Sequence, residues 1–359
     1  MQSNTKKPDP HGQSLIQKGR KQLARFGLDG FLIALISCIL LAWTWPEPGI
    51  QEGIFSLHTI ADYGVSVIFF FYGLRLSLDS LKIGLGNWRL HLTIQLTTFV
   101  FFPVFMLLFW KLFPAYSESV LWLGVFYLAT LPSTVSSSVV MVSIAGGNIP
   151  GAIFNASISS LLGVFITPLW MGLFLTAQTG SYDLWPVIGK LTLQVLLPVS
   201  LGLALHSRFG DLALRFKGQL KTFDQSIILI IVYTSFCESF AREMFSGFGL
   251  PTIGLLGLSM ASLFFLALAM IYLLSKKLNF GREDRITALF CGSKKSLVHG
   301  TVMSKVLFPN SDIVGIVLLP LMIYHALQLM IAGIIAQSEA RKTAIEKDAH
   351  QFKLTNDME

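Results

Sequence analysis

Two short polar stretches, Leu131-Pro-Ser-Thr-Val-Ser-Ser-Ser138 and Gly292-Ser-Lys-Lys-Ser296, interrupt long apolar runs of this sequence. Proline removes a backbone donor, and clustered serine and threonine hydroxyls compete with the backbone for hydrogen bonds. Each stretch is therefore expected to break a helix within an apolar layer. Freed backbone groups are tolerated there only inside protein or beside a water-filled cavity, so both stretches are predicted to lie in the interior.

The composition around these stretches is that of a membrane protein. The chain has 359 residues, of which 53% are hydrophobic and 13% charged, and its mean hydropathy is +0.64. This leaves too little polar surface for a soluble protein of that size. The net charge of +7 does not indicate nucleic-acid binding, because the basic residues lie in short loops between apolar runs. Three cysteines lie within apolar runs without metal-ligand spacing, and we interpret them as small buried side chains.

Ten apolar runs are long enough to cross a bilayer as helices. They cover residues 28–47, 55–74, 90–113, 119–145, 149–177, 184–206, 223–241, 250–275, 284–308 and 311–337. Short loops rich in proline, glycine, asparagine and aspartate separate them. The sequence therefore predicts an all-α integral membrane protein of ten transmembrane helices.

The distribution of lysine and arginine predicts the orientation. Most of them fall in the first 26 residues, in the loops after the second, sixth and eighth runs, and after the last run. The opposite side carries only Lys111, Arg242 and Lys305. Cytoplasmic flanks retain positive charge, so both termini are predicted to be cytoplasmic in a bacterial inner (cell) membrane. Residues 1–26 have no apolar signal segment and are expected to be a basic leader, and residues 339–359 a cytoplasmic tail.

Ten spans divide into two groups of five, and because five is odd the second group must be inverted relative to the first. The predicted first repeat covers residues 27–178 and the second 183–338. The two polar stretches fall in the fourth and ninth spans, which are counterparts in such a repeat. Paired broken helices of this kind mark the substrate or ion site of many secondary transporters, so we predict that helices four and nine are broken and cross.

Four motifs carry a resemblance to a known family. They are Leu131–Val139, Ala145-Gly-Gly-Asn148, Asn155-Ala-Ser-Ile-Ser-Ser-Leu-Leu-Gly163 and Cys291-Gly-Ser-Lys-Lys-Ser-Leu297. With these motifs the chain resembles the bile acid:sodium symporter family over about residues 27–337. More closely it is similar to a bacterial YfeH-like branch, which is itself similar to the orphan seventh human member. The resemblance implies ten helices in a panel and a core domain, with two broken helices crossing.

The resemblance also implies sodium ligands, which carry over only in part. Ser138 retains a ligand serine, whereas Val139 stands where the family has an amide. The hydroxyl of the next helix corresponds to the neighbourhood of Asn155, and the third-helix glutamine to Thr98, with Gln95 three residues earlier on the same helix face. At the second break, Phe290 replaces an acid and Lys294 a glutamine. The resemblance therefore implies sodium as a possible coupling ion near Ser138 and Asn155, and no second sodium site.

The two lysines lead to a hypothesis about charge. Lys294 or Lys295 is expected to supply a tethered positive charge to the carbonyls of the broken helices, in place of the missing ion. If one lysine loses its proton during the cycle, protonation couples to transport, and if it stays charged it pairs with an anionic substrate. Further candidates for ion or substrate contact are polar residues of the same spans: Ser133, Thr134, Ser159, Ser293, Ser296, His325 and Gln328.

These observations predict a secondary active transporter of a small organic, anionic solute that works by alternating access. One alternative is a proton-coupled carrier or cation/proton antiporter in which Lys294 or Lys295 is the coupling group. Another is a non-transporting membrane regulator with the same fold. An enzyme is not expected, because the acids are scattered and form no metal-binding string such as DDxxD or HExxH. Near the end of the seventh span, Glu238 and Arg242 are expected to form an i, i+4 pair.

Overall fold

The structure is a computed structural model that describes residues 30–75, 85–112, 119–179, 189, 192–246, 248–308 and 311–356. Every regular element within these residues is helical, as the sequence predicts. The predicted leader, residues 1–26, lies outside the described residues. The predicted tail begins inside a helix, because the last helix continues through residue 338 to Asn356.

The α-helices in chain order are α1 (Gly30–Thr44), α2 (Glu47–Ile50), α3 (Leu57–Arg75), α4 (Trp88–Leu96), α5 (Phe102–Leu112), α6 (Val120–Thr130), α7 (Ser136–Ala145), α8 (Ile149–Thr179), α9 (Leu197–Arg215), α10 (Lys217–Ala241), α11 (Leu250–Lys277), α12 (Arg282–Gly292), α13 (Leu297–Leu307) and α14 (Val314–Asn356). Two π-helical turns, Thr97–Phe101 and Thr192–Leu196, join α4 to α5 and precede α9. Short 3₁₀ turns at Leu85–Asn87 and Ser311–Ile313 precede α4 and α14.

Six segments within the described residues are long and apolar enough to cross a membrane: Leu57–Arg75, Trp88–Leu112, Ile149–Leu175, Lys217–Ala241, Leu250–Lys277 and Val314–Lys342. Helices α1, α6 and α7 are apolar but shorter. Large apolar side chains such as Leu255, Leu258 and Leu273 of α11 point outward, as lipid contact requires. The chain is a multi-pass membrane protein, and helical residues occur in each of the ten predicted spans.

The helices pack in two groups. The panel helices are α1, α3, α9 and α10, and within them α3 and α9 share the most extensive contact. The core helices are α4 to α8 and α11 to α14, in which α14 packs on both α6 and α7. Helices α13 and α14 contact α10, and α13 also contacts α3. The interface between the two groups therefore runs along α3 and α10 on one side and α13 and α14 on the other.

Glycines allow the close approach of α3 and α9. A Cβ atom built on Gly73 would lie 2.1 Å from the carbonyl oxygen of Val199, and one on Gly202 would lie 2.1 Å from that of Phe70. Small residues at such crossings let helix backbones touch, which is a main source of helix association in membranes. The panel helices α3 and α9 are thereby held together as a pair.

Candidate functional site

The first predicted break separates α6 from α7. Helix α6 ends at Thr130 and α7 begins at Ser136, so residues 131–135 form the break. Pro132 cannot donate a backbone hydrogen bond, and its carbonyl oxygen instead accepts one from the backbone N–H of Ser296, at 2.8 Å. The prediction of a broken fourth span is confirmed.

The second predicted break separates α12 from α13. Helix α12 ends at Gly292, and Ser296 caps α13 by accepting a hydrogen bond from the backbone N–H of His299. Between these ends the hydroxyl of Tyr324 donates to the carbonyl of Ser293 at 2.6 Å, and the hydroxyl of Ser293 donates to Leu289. The break in the ninth span is therefore also confirmed, and its backbone is supported by α14.

The two breaks contact each other directly. The Ser133 hydroxyl donates to the carbonyl oxygen of Cys291 at 2.6 Å, and the Ser138 hydroxyl donates to that of Phe290 at 3.1 Å. Those carbonyls belong to the last turn of α12, which lacks intrahelical partners for its carbonyl groups. Serines of the first break thus satisfy the end of the helix that the second break interrupts.

Lys295 provides the reverse connection. Its ammonium group donates to the carbonyl oxygens of Ala129 at 2.7 Å, Leu131 at 2.9 Å and Thr98 at 2.8 Å, and lies 4.1 Å from the ring centre of Phe102. An ammonium group has three N–H donors and no acceptor, so all of its donors are used. Lys295 is fully buried. Its positive charge stabilises the carbonyl end of α6, where the helix dipole is negative.

Lys294 is fully buried as well but has a different environment. Its ammonium group donates to the carbonyl oxygen of Ser137 at 2.9 Å and lies 5.7 Å from the ring centre of Phe290. This carbonyl lies in the first turn of α7, at the positive end of its dipole. A protonated Lys294 would therefore add positive charge to a region that is already positive, whereas the Lys295 ammonium lies at a negative one.

Residues of α14 hold the backbone of Lys295 in place. The side chain of Gln328 accepts a hydrogen bond from the Lys295 N–H at 2.8 Å and donates to the Lys295 carbonyl at 2.9 Å. The amide nitrogen of Gln328 also lies 2.9 Å from Nδ1 of His325. The sequence-predicted residues His325 and Gln328 thus lie beside the second break, and Gln328 positions the lysine.

Helix α8 supports the first break from the other side. The Ser159 hydroxyl accepts a hydrogen bond from the Ser133 N–H at 2.9 Å. Four residues earlier, the amide of Asn155 lies 2.8 Å from Nδ1 of His91, and its oxygen accepts from Gln95 at 3.2 Å. All of these residues except His91 were predicted from the sequence.

The oxygens expected near a sodium ion have other partners in the structure. The Ser138 and Thr134 hydroxyls lie 2.8 Å apart and bond to each other, while Asn155 bonds to His91 and Gln95. The Lys295 ammonium is bonded to the carbonyl oxygens of Thr98, Ala129 and Leu131, and the absence of a second sodium site is untested. A sodium ion near Ser138 and Asn155 stays a prediction.

A cavity of about 580 Å³ lies between the panel and core helices and ends at the two breaks. Its inner wall includes Thr134, Ser136 and Ser137 from the first break, and Ser296 and His299 from the second. Its other end is lined by charged residues of α3 and α10, among which Arg75 pairs with Asp224 at 3.0 Å. The cavity thus joins the broken helices to one end of the panel helices.

Sequence reasoning missed the panel side of this cavity. Phe69, Tyr72 and Arg75 of α3 line it, as do Lys217, Lys221 and Asp224 of α10. From the sequence, the basic residues among them are interpreted only as topology signals. The periodicity of an apolar run does not distinguish aromatic side chains that line a cavity from those that face lipid. His299 was also outside the predicted site, although the residue is buried, lines the cavity and has its ring centre 5.6 Å from that of Tyr72.

Two broken helices that meet inside a bundle, with a cavity ending where they meet, are the architecture of a secondary transporter. Comparison with known proteins narrows this class. The model of the SBF-like CPA transporter family matches residues 29–341, and the chain belongs to that family. The resemblance stated from the motifs is confirmed.

The relatives cover nearly the whole chain. An uncharacterized protein of Pseudomonas aeruginosa is 42% identical over 89% of this chain and 95% of its own length. The Escherichia coli protein named "Putative symporter YfeH" is 38% identical over 88% of this chain and 94% of its own length. Mouse sodium/bile acid cotransporter 7 is 30% identical over 89% and 93%. The family is one of transporters, not of enzymes.

Proposed function

We propose that the protein is a secondary active transporter that carries a small organic anion across a bacterial inner membrane by alternating access. The observation that carries this proposal is the cavity, which lies between two packed groups of helices and ends at the first residues of α7 and α13. A solute bound there would contact both groups, so that a relative movement of the groups could expose it to either side.

The lining of the cavity favours an anion with an apolar body. Its charged side chains are Arg75, Lys217, Lys221 and Asp224, and Asp224 is paired with Arg75. This leaves an excess of positive charge at the cavity mouth, which attracts anions and raises their local concentration. The walls also carry the apolar residues Phe31, Ile68, Phe69 and Leu329, together with the hydroxyls of the breaks. Such a mixture suits an amphipathic solute.

The inner end of the cavity favours the anionic group of that solute. The N-terminal residues of α7 and α13 both line it, and helix N-termini present backbone donors and partial positive charge. Lys294 lies behind this wall with its ammonium on the Ser137 carbonyl. In a poorly solvated site, a charge attracts an anion even without touching it. We assign Lys294 as a fixed positive charge that favours the bound anion.

We assign Lys295 a structural role, as a tethered cation that joins the two breaks. Its three carbonyl partners support this assignment because they come from α6, the first break and the π-helical turn before α5. This structural role requires no sodium ion at the position of the ammonium group.

We further propose that the chain consists of two inverted repeats, residues 27–178 and 183–338, with both termini cytoplasmic. The breaks fall in the fourth and ninth spans, and the charged mouth of the cavity lies at the ends of α3 and α10 that the charge distribution predicts to be cytoplasmic. In this orientation the cavity opens inward.

The first test is a thermal-shift screen of the purified protein against sodium, pH and a library of organic anions. A ligand that binds the folded state raises its apparent stability. Anions with an apolar body are expected to stabilise the protein, and each such anion is then tested for uptake into proteoliposomes. Stabilisation by cations or neutral solutes alone would contradict the proposal. Binding without uptake would indicate the non-transporting regulator instead.

The second test separates the coupling ions. Uptake of a stabilising anion is driven by a sodium gradient and by a proton gradient in separate experiments, with the wild type and with the Lys294→Gln and Lys295→Gln variants. A proton-coupled carrier that uses one of these lysines would lose the response to the proton gradient in that variant. Unchanged uptake in both variants would remove the lysines from the mechanism.

A further inference from the structure

At the end of the interface opposite the cavity mouth, three ionisable side chains form a chain between the panel and core helices. Nζ of Lys305, on α13, lies 3.1 Å from Nδ1 of His58, on α3. Nε2 of the same imidazole lies 2.9 Å from Oε1 of Glu238, on α10. His58 thus lies between a core lysine and a panel glutamate.

The position of this chain is set by the direction of the helices. His58 and Arg75 lie at opposite ends of α3, and Glu238 and Asp224 lie toward opposite ends of α10. Arg75 and Asp224 line the cavity mouth, whereas His58, Glu238 and Lys305 do not line the cavity. The interface is therefore open at one end and joined by the three side chains at the other.

The contacts decide which form of the histidine fits. An ammonium group can only donate, so Nδ1 of His58 must accept and the single proton of the neutral ring is on Nε2, which lies near the glutamate without the geometry of a hydrogen bond. The three side chains are largely shielded from water, with exposed fractions of 8% for Lys305, 19% for His58 and 12% for Glu238. A neutral imidazole is compatible with both neighbours.

A second proton on the ring changes this balance. It would occupy Nδ1, remove one acceptor that lies within reach of Lys305, and place a positive imidazolium 3.1 Å from the ammonium group. Like charges at that distance repel strongly in a poorly solvated site. The imidazolium would at the same time bind Glu238 more tightly, because the pair would become a charge-assisted one. Protonation would therefore hold His58 to the other panel helix and weaken its link to the core.

We propose that His58 is a proton-binding site whose protonation favours opening of this end of the interface. The proposal rests on the proposed function in one respect, namely that the panel and core helices move apart during transport. It identifies the proton as a ligand that acts at a place remote from the two lysines of the breaks. A proton taken up on this side would promote exposure of the cavity to the same side.

Other charged groups around His58 are Asp62, one turn later on α3, and Arg242 on α10, which pairs with Asp312 before α14 at 3.1 Å. Glu47 of α2 lies near the same end of α10, because the Tyr233 hydroxyl donates to the carbonyl oxygen of Trp45, two residues before Glu47. The Ser239 hydroxyl also donates to the Asp312 carbonyl at 2.7 Å. These contacts remain when His58 is protonated, so the expected effect is a partial loosening and not a separation of the helices.

The experiment is hydrogen–deuterium exchange of the purified full chain in lipid nanodiscs without substrate. Exchange of residues 57–63 and 302–307, corrected for the chemical rate at each pH, is compared at about pH 7.5 and about pH 5.5, the range in which histidines change charge. We expect wild-type exchange in both segments to rise about tenfold at the lower pH, a usual size for coupling between sites.

The decisive variant is His58→Gln, because glutamine can accept from Lys305 and donate to Glu238 but cannot gain a proton. Its exchange is expected to be the same at both pH values. His206→Gln is the matched control, since His206 contacts the Leu74 carbonyl at the other end of α3, and it should respond as the wild type does. A pH-independent wild type, or a His58→Gln variant that retains the wild-type rise, would overturn the proposal.

A second variant keeps the test decisive if His58→Gln does not fold. Lys305→Gln removes the ammonium that repels the imidazolium, so exchange should be raised at both pH values and should depend little on pH. A wild-type pH response in this variant also contradicts the proposal. Because no substrate is present, failure here leaves the anion site untouched, and failure of the anion screen leaves this proton site untouched.

Discussion

The ammonium nitrogen of Lys295 and the carbonyl oxygen of Leu131 lie 2.9 Å apart, so the second break inserts a charge into the first. Together with the contacts to Ala129 and Thr98, this places one buried cation on three carbonyls that have lost their helical partners. An unpaired buried carbonyl is costly, and so is an unpaired buried charge. Each compensates for the other only while the two breaks stay in contact.

The first prediction is that Lys295→Met destabilises the protein. Methionine has a similar length but no donor, so three buried carbonyls lose their partner, at about 1–3 kcal/mol for each group left unsatisfied, less the relaxation of the surroundings. We expect a clear fall in the midpoint of thermal unfolding in detergent. Lys294→Met, which removes one hydrogen bond, is the matched control and should cause a smaller fall. Equal midpoints for the two variants would contradict the structural role of Lys295.

The second prediction is chemical rescue of Lys295→Ala. This variant leaves a space with the shape of n-propylammonium, which carries the same terminal atoms as the missing side chain and the same three N–H donors. We expect n-propylammonium chloride to raise the unfolding midpoint of Lys295→Ala and not that of the wild type, since a ligand stabilises only the state that binds it. Tetramethylammonium, which has charge but no N–H donor, should not rescue. An equal effect of both ions would indicate an unspecific salt effect.

The sequence predicted the broken helices because their cause is local. Pro132 and the serines of residues 133–138 weaken a helix wherever they occur, and Gly292 to Ser296 do so in the second half. The interior position of Lys294 and Lys295 also followed from their place in a helix break within an apolar run. The residues around Lys295 in the sequence give no indication, however, that its side chain reaches across to α6.

Partners that come from distant parts of the chain were not predictable. Glu238 and Arg242 were expected to pair because they lie four residues apart on one helix, but in the structure Glu238 lies beside His58 and Arg242 binds Asp312. The panel side of the cavity was missed for the same reason. Arg75 and Asp224 are 149 residues apart, and only the packing of α3 on α10 brings them together.

The third prediction concerns the glycines between α3 and α9. Gly202→Ala should destabilise the protein strongly, because its Cβ would lie 2.1 Å from the Phe70 carbonyl oxygen and 2.8 Å from the backbone nitrogen of Leu74, where backbone cannot yield. Gly257→Ala is the matched control on α11, where no atom lies within 4 Å of the added Cβ. Alanine favours a helix over glycine by about 1 kcal/mol, so the control should be neutral or stabilising. Both variants are compared with the wild type by the yield and the unfolding midpoint of the monodisperse fraction. A neutral Gly202→Ala would contradict the close packing of α3 and α9.

The fourth prediction uses opposite signs of charge in the cavity mouth. Arg75 and Asp224 form an ion pair there at 3.0 Å, so removing either member changes the field on a bound anion in opposite directions. Asp224→Asn frees the guanidinium and should lower the Kd of a stabilising organic anion, whereas Arg75→Gln should raise it, each by about tenfold or less for partly exposed charges. Titration calorimetry at low and high salt measures the effect, which salt should reduce. Arg242→Gln, which breaks an ion pair at the opposite end of α10, should leave the Kd unchanged. If Arg75→Gln and Asp224→Asn shift the Kd in the same direction, the two variants act through the packing of α3 on α10, and the positive mouth does not select the anion.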